Sequence, residues 1–168
     1  MGSPAQRGCW VPAAGTARAK APWRRAKLLL RGLLRVTPDR AGPGYTVPAD
    51  NPYVGQPGVA TVTWAKGMRY RWRFSIDRPT GDIWLGDVGE SIWEAVYRIP
   101  AGTKGVNHGW PAYEGSHDSR FNPQVPPPAE RMTPVHEIGG VQTSLGQDPD
   151  GELWVLTPRH DLFELGPA

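Results

Sequence analysis

The chain has 168 residues, and glycine and proline supply 40 of them, a share of about 24% that approaches the level of low-complexity disorder. Eight tryptophans, five tyrosines and three phenylalanines argue against disorder, because a disordered chain has no core for so many aromatic rings. The composition therefore predicts a folded, turn-rich, all-β protein. Residues 1–40 carry a net charge of +8 and the rest −5, so the overall +3 describes neither part. No apolar run is long enough for a membrane-spanning helix, and the single cysteine, Cys9, excludes an internal disulfide.

Residues 1–26 are rich in Ala, Gly, Pro and Arg and have no period of 2 or 3.6, so they are predicted to form a disordered basic arm. Trp10 and Trp23 among its basic residues would suit nucleic-acid binding by phosphate contact and base stacking. A solvated tail is the commoner meaning of such a charge run, and we predict no nucleic-acid partner and no membrane partner. The arm has no apolar segment typical of a secretory signal, so the sequence leaves the localisation open.

Short β-strands are predicted from residue 27 onward. Lys27–Val36, which a helix would also fit, is interpreted as a strand, and residues 41–58 as an ordered surface loop. Ala60–Lys66 and Tyr70–Asp77 alternate with the strand period of two. In the second of these, the alternation predicts an aromatic face and a polar face, formed by Tyr70, Trp72 and Phe74 and by Arg71, Arg73 and Ser75.

Two segments, Phe74–Leu85 and Leu145–Val155, form a loose internal repeat. Each contains an Asp, a tight turn that closes on Gly81 or Gly151, an acid, an aliphatic residue and a Trp. Both are predicted β-hairpins of the kind found in β-propeller blades, with two unrelated hairpins in a sandwich as the alternative. Because a blade takes roughly 40 residues, the chain beyond its arm supplies at most about three blades. We therefore predict a partial β-propeller, an arc of about two to three blades with exposed strand edges.

Four segments resemble, in the same order, the glucose/sorbosone dehydrogenase family: Ala49–Gly55, Gly67–Ile99, Asn107–Gly115 and Ser144–Leu165. Members of this family are six-bladed β-propellers of the soluble quinoprotein sugar dehydrogenase type. The resemblance extends over Lys27–Gly115 and Ser144–Leu165, roughly two thirds of the chain. It implies that residues 27–168 form a partial propeller domain.

The resemblance implies oxidation of an aldose sugar at its anomeric carbon, with two electrons passed to pyrroloquinoline quinone (PQQ) and with calcium polarising the quinone. It places Arg69 at a cofactor contact and the backbone carbonyls of Gly89 and Glu90 on the calcium ion. The residues themselves leave alternatives open. Arg69 is equally an exposed strand arginine, and a metal site or a set of solvated turn acids would both explain Asp82, Asp87, Glu90 and Glu94.

The sequence departs from the family where catalysis is concerned. The family's catalytic histidine belongs to an early blade, whereas this chain has no histidine before His108. We therefore predict no catalytic residue here, and we expect a truncated or internally deleted member that does not turn over substrate. The alternative function is a non-catalytic propeller segment that binds a protein or a glycan. It would use strand edges, or a sugar-stacking surface of four indoles that core packing would also explain: Trp72, Trp84, Trp93 and Trp110.

Overall fold

The structure is a computed structural model that describes residues 9–12, 31–90, 92–121, 126–139, 144–148, 152–156 and 162–165. The described residues form thirteen β-strands and no helix, which confirms the predicted all-β class. Accordingly, the described part of the chain has no helix long and apolar enough to cross a membrane. Contacts group the chain into two compact units. Unit 1 comprises Met1–Lys66 and Lys104–Val106, and unit 2 comprises Gly67–Thr103 and Asn107–Ala168.

Unit 1 is built around one central strand. Its four strands are β1 (Cys9–Pro12), β2 (Gly32–Pro38), β3 (Tyr45–Thr46) and β4 (Thr63–Lys66). Strand β2 pairs antiparallel with each of the other three. The predicted strand over Lys27–Val36 is thus confirmed as a strand over Gly32–Pro38, while residues 27–30 lie outside the described residues. Leu33 of β2 and Ala65 of β4 are fully buried.

Strand β1 lies inside the segment 1–26 that the sequence predicts to be a disordered arm. Cys9–Pro12 pairs residue by residue with Leu33–Val36 of β2, so the prediction does not hold for these four residues. The physical reason is that β2 offers a row of backbone N–H and C=O groups along this edge, which a segment containing β-forming residues such as Trp10 and Val11 can pair. The other residues of the arm lie outside the described residues.

The loop predicted over residues 41–58 is anchored by a buried amide. Asn51 Nδ2 donates hydrogen bonds to the carbonyl oxygens of Arg35, at 2.9 Å, and Thr61, at 3.0 Å. Arg35 Nη1 in turn donates to both carboxylate oxygens of Asp50, at 2.9 Å each. The loop is therefore ordered, as predicted, and only the two-residue strand β3 interrupts it.

Unit 2 contains three separate sheets of antiparallel strands. The sheets have the orders β10–β7–β6–β5, β11–β12–β13 and β8–β9. Their strands are β5 (Arg71–Ile76), β6 (Ile83–Asp87), β7 (Trp93–Ile99), β8 (Tyr113–Glu114), β9 (His117–Asp118), β10 (His136–Gly139), β11 (Ser144–Gln147), β12 (Leu153–Leu156) and β13 (Leu162–Leu165). The most deeply buried apolar side chains include Leu85, Val96, Tyr97, Ile99 and Val155.

Both predicted hairpins are present. Between β5 and β6, Gly81 adopts a φ of +79°, and the Asp77 N–H donates to the Asp82 carbonyl at 2.9 Å. Between β11 and β12, the Asp148 N–H donates to the Glu152 carbonyl at 3.0 Å. Each turn therefore closes with a hydrogen bond from an aspartate amide, across five positions in the first turn and four in the second, and the glycine of the second turn lies outside the described residues.

The predicted alternation along β5 is wrong at its first residues because the strand contains a bulge. Arg71 pairs with Asp87 and Arg73 with Gly86, so the register of the two strands passes over Trp72. As a result, Arg71 is 7% exposed and Trp72 is 43% exposed. An extra residue in one strand shifts every side chain before it relative to the pleat, which a strict period of two does not anticipate.

Replacing Asn51 with Ala is expected to lower the free energy of unfolding by about 2 kcal/mol, because the carbonyls of Arg35 and Thr61 each lose a hydrogen bond from this buried amide. Urea denaturation measures the change. Gln56→Ala is the matched control, since Gln56 Nε2 makes one exposed hydrogen bond to the Pro52 carbonyl at 3.0 Å. Equal losses in both variants would contradict the anchoring role of Asn51.

Candidate functional site

A small cleft in unit 2 is lined by Arg69 and Gly89, two of the three residues that the sequence predicts for the site. The third, Glu90, does not line the cleft but pairs with Arg69. The other walls are largely aromatic or acidic and include Trp93, Tyr97, Trp110, Tyr113, Asp87 and Glu114. The cavity volume is about 10 Å³, which admits about one water molecule.

Arg69 precedes β5 and is held by both its backbone and its side chain. Its N–H donates to Asp87 Oδ2 at 3.0 Å, and its Nη1 donates to the Val88 carbonyl at 3.3 Å. Its Nε lies 3.7 Å from Glu90 Oε2, and the guanidinium carbon lies 5.7 Å from the ring centroid of Trp110. Arg69 is therefore a partly buried arginine with defined partners, and not the exposed strand arginine that the sequence also allowed.

Asp87 fixes the backbone at this point. Its two carboxylate oxygens accept the N–H groups of Arg69 and Tyr70, the latter at 2.7 Å. Burial raises the pKa of Asp87 to about 6, although these two hydrogen bonds and the nearby charge of Arg71 work in the opposite direction. The Asp87 carboxylate therefore has a structural role, because both of its oxygens bind backbone N–H groups.

The loop after β6 closes around another buried carboxylate. Glu114 Oε1 accepts the N–H groups of Glu90 and, at 3.4 Å, Ile92. A Cβ at position 89 would clash with the Trp93 carbonyl and with Glu114 Oε1, so only glycine fits at Gly89. The Glu90 side chain extends to Arg69 and to Arg120.

The structure does not assemble a carboxylate metal site. Among the described residues, no group of three or more His, Cys, Asp or Glu side chains is arranged to hold a metal ion. The predicted calcium ligands, Gly89 and Glu90, would act through backbone carbonyls, and their role remains a prediction. The N–H groups of Glu90 and Ile92 in this loop donate hydrogen bonds to the Glu114 carboxylate.

The four predicted acids have separate structural roles. Asp82 accepts hydrogen bonds from Arg98 Nε at 2.7 Å and from the Ala101 N–H at 2.8 Å. Asp82, Asp87 and Glu94 are all buried, so they are not the solvated turn acids that the sequence allowed as an alternative. Burial raises the pKa of Glu94 to about 7, and the negative charges of Asp87 and Glu114 add to the increase.

The described histidines do not line the cleft. His108 is 1% exposed and lies edge-on to the Tyr97 ring, with 4.2 Å between the ring centroids. Burial lowers the pKa of His108 to about 3, so the ring is neutral at physiological pH. His117 stacks on Trp93 with centroids 4.1 Å apart and lies 3.5 Å from Glu137 Oε2. Neither ring is placed as a base at the cleft, and the absence of a catalytic residue from the whole chain stays a prediction.

The four indoles predicted as a possible sugar-stacking surface are not assembled into one exposed face. Trp84 is buried, and Trp93 and Trp110 line the cleft. Trp110 also packs edge-on against Phe121, with centroids 5.8 Å apart. Of the four, only Trp72 is strongly exposed.

Sequence reasoning missed Glu114 and Glu137. Glu137 accepts the Ser116 N–H at 2.7 Å and the Ser116 hydroxyl, which holds the β8–β9 turn. Glu114 belongs to the segment Asn107–Gly115 that carries the family resemblance, and this was the available signal. No local pattern connects Glu137 with Ser116, because the two residues lie 21 positions apart.

The cleft does not fit PQQ as a complete site. PQQ is a flat tricyclic tricarboxylate, and a cavity of about 10 Å³ is far too small for it. Arg69 is the one cationic side chain among the described lining residues, and it already pairs with Glu90, while Asp87 and Glu114 present like charge to an anionic ligand. The described residues therefore provide at most part of such a site.

Gly89→Ala is expected to destabilise unit 2 by at least about 2 kcal/mol, because the added Cβ meets a backbone carbonyl that cannot move without disturbing β7. Gly146→Ala is the control, since nothing lies within 4 Å of a Cβ at that position. Urea denaturation of the two variants gives the comparison. A small loss in Gly89→Ala, similar to that of the control, would contradict the close packing of the loop.

Glu94→Gln is expected to make stability less dependent on pH. Since the folded-state pKa of about 7 lies above the ordinary value of 4.5, the contribution of this carboxyl is present in full below about pH 4.5 and is lost as the pH rises through 7. Between about pH 5 and pH 8, the wild-type chain should lose about 2–3 kcal/mol more than Glu94→Gln. Urea denaturation at both pH values tests this, with the exposed Glu130→Gln as control. Parallel pH profiles for wild type and Glu94→Gln would be the contrary result.

Comparison with known proteins supports the family resemblance over most of the chain. The profile of the Glucose / Sorbosone dehydrogenase family matches residues 33–143. The HIPL2 protein of Arabidopsis thaliana is 39% identical over 83 residues, which are 49% of this chain and 11% of HIPL2. The chain thus spans about a ninth of that relative's length.

Two solved structures share the fold. The PQQ-bound aldose sugar dehydrogenase of Streptomyces coelicolor matches 96% of this chain and 42% of its own, with a TM-score of 0.64 and 19% identity. A candidate oxidoreductase (glucose dehydrogenase) of Thermus thermophilus matches 93% of this chain and 44% of its own, with a TM-score of 0.67 and 21% identity. At these identities the likeness concerns the fold, and it confirms the predicted partial β-propeller. Because the family profile covers well over half of the sequence, the chain belongs to the glucose/sorbosone dehydrogenase family.

Proposed function

We propose that this chain contributes part of the binding site of a PQQ-dependent dehydrogenase of aldose sugars, and that the chain alone does not oxidise sugars. The observation that carries the first part is the placement of Arg69, within the matched residues 33–143, at the cleft and beside the ring of Trp110. One structural neighbour is a PQQ-bound aldose sugar dehydrogenase, which supports the choice of cofactor and substrate class.

The residues of the cleft suit the edge of an anionic aromatic ligand. Arg69 supplies a positive charge. Because Asp87 already fixes the Arg69 backbone, little conformational entropy is lost when this residue binds a ligand. Trp110 supplies a flat apolar surface next to that charge. In the proposal, Arg69 exchanges its ion pair with Glu90 for a carboxylate of the ligand, and the backbone carbonyls of Gly89 and Glu90 bind calcium.

The second part of the proposal rests on what sugar oxidation needs. Removing the proton of the anomeric hydroxyl requires a general base within hydrogen-bonding reach of the substrate. His108 is sealed beneath Tyr97, and no described histidine lines the cleft. The cleft is also too small to enclose a sugar and a quinone together. Both would stay in contact with water, which weakens polar contacts between the protein and its ligands.

The 168-residue chain, mixed with PQQ, Ca²⁺ and an aldose, is expected not to reduce an electron-acceptor dye above the rate without protein. Quenching of tryptophan fluorescence by PQQ provides a separate measurement of binding. Arg69→Gln should weaken that binding at least about threefold, as for the loss of one charged hydrogen bond. Arg73→Gln, which changes an exposed arginine of β5, is the matched control.

Each part of the proposal has its own contrary outcome. Dye reduction that depends on protein, PQQ and aldose would show that the chain alone is active. Equal PQQ affinity in wild type and Arg69→Gln would show that Arg69 does not contact the cofactor.

The alternative function, binding of a protein without catalysis, is favoured by one observation, the exposed aromatic pair Tyr70 and Trp72.

A further inference from the structure

A stacked pair of rings connects an exposed histidine to a tryptophan of the cleft. The ring of His117, in β9, lies almost flat on the ring of Trp93, in β7, with 4.1 Å between the centroids and 11° between the planes. On its other side, His117 Nε2 lies 3.5 Å from Glu137 Oε2 of β10. We call Trp93, His117 and Glu137 the histidine cluster. The side chain of His117 is 43% exposed, so it exchanges protons with the solvent directly.

The histidine cluster attaches the β8–β9 hairpin to the large sheet of unit 2. Glu137 Oε1 accepts the Ser116 N–H at 2.7 Å, and Glu137 Oε2 accepts the Ser116 hydroxyl. The turn approaches Glu137 so closely that a Cβ at Gly115 would lie 2.0 Å from Glu137 Oε1. Strands β10 and β7 pair with each other, and Gly139 lies opposite Trp93. The hairpin is therefore held by side chains of two neighbouring strands.

The same hairpin forms one wall of the cleft. Tyr113, Glu114 and Gly115 line the cleft from the hairpin, and Trp93 lines it from β7. A change in the strength with which the hairpin is attached therefore acts on the cleft wall.

The attachment depends on the charge of one ring. Histidine is the side chain whose charge ordinarily changes between pH 5 and pH 8. A protonated imidazole gains a cation–π attraction to the indole face and an ion pair with the Glu137 carboxylate, whereas a neutral imidazole keeps the stacking contact alone. Since the charged form interacts more favourably when the hairpin is attached, attachment takes up a proton and is strengthened as the pH falls.

Five further ionisable side chains belong to the elements that flank the histidine cluster: Glu114 in β8, Asp118 in β9, Glu94 in β7, His136 in β10 and Arg131 in the segment before β10. Glu114 is the residue opposite His117 in the β8–β9 ladder. Arg131 donates to the carbonyls of Gly115 and Ser116, at 2.9 Å and 3.2 Å. The acids favour a charged His117, and Arg131 opposes it.

We propose that the histidine cluster is a pH-sensitive attachment, in which protonation of His117 holds the β8–β9 hairpin, and with it one wall of the cleft, against β7 and β10. At alkaline pH the neutral ring still stacks on Trp93, but the hairpin opens more often. The cluster acts in this way whichever ligand the cleft binds, so it does not depend on PQQ.

Hydrogen exchange of the Ser116 amide, expressed as a protection factor, measures how often the turn leaves Glu137. In the wild-type chain this factor should be at least about threefold higher at pH 5.5 than at pH 8, as for a cation–π contact at an exposed site. His117→Phe keeps a ring on Trp93 without a charge, so its ratio between the two pH values should be at least about threefold smaller. Asp87 and Glu94 are present in both chains, so their own titration cancels in the comparison.

The matched control is His136→Gln, which removes an exposed histidine of β10 and should keep the wild-type ratio. Glu137→Gln keeps an oxygen that can accept from Ser116 but removes the negative charge, so its ratio should fall below that of the wild type. Circular dichroism at both pH values verifies that each variant is folded.

A second measurement needs no variant of His117. The NMR signal of the Trp93 indole N–H, identified by its loss in Trp93→Phe, should move between pH 5.5 and pH 8 in the wild-type chain, because the charge of the ring stacked on it changes. A Trp93 signal that stays in place over this range would overturn the proposal. So would an equal ratio of Ser116 protection in wild type and His117→Phe. Neither result involves PQQ, so the proposed function is judged separately.

Discussion

The two hydrogen bonds that the buried carboxylate of Asp87 accepts hold the start of β5 and one wall of the cleft in place. Asp87 stands at the end of β6 and receives the N–H groups of two successive residues, Arg69 and Tyr70. Removing a carboxylate from water is costly, and the raised pKa of Asp87 is a measure of this cost. Two hydrogen bonds to the charged form offset part of it. A single side chain thereby holds the backbone of Arg69 and Tyr70, the two residues that precede β5.

A second buried acid that lines the cleft has the same function. Glu114, in β8, gathers the N–H groups of the loop after β6, and Gly89 allows the loop to approach closely. The cleft is thus bounded by two carboxylates that satisfy backbone donors, with Arg69 as the balancing charge. For an anionic cofactor such as the proposed PQQ, this electrostatic arrangement favours a site in which further residues supply positive charge.

The sequence predicted the elements better than it predicted the side-chain environments. The hairpin at Gly81 followed from local turn chemistry, and the strands followed from alternation, because both signals act over a few residues. The bulge at Trp72 was missed since it depends on the partner strand. The burial of Asp82 and Glu94 was missed for a related reason, as acids in turns are usually solvated and their partners come from other strands. Family resemblance singled out Arg69, which lines the cleft and whose cofactor role stays a prediction, whereas Glu137 and its contact with Ser116 had no local signal.

The short turns of the two hairpins have a consequence for the order of folding. Strands β5 and β6, like β11 and β12, are joined by short turns that an aspartate amide closes, so little loop entropy is lost when they pair. Strand β10 pairs with β7 only after a long intervening segment, with Gly139 opposite Trp93. Since contacts close in sequence form faster than distant ones, this topology favours early hairpins and late capture of β10. Until β10 pairs with β7, one edge of β7 has unpaired backbone groups. An unpaired strand edge can pair with another chain, so the chain is most prone to aggregation at this stage.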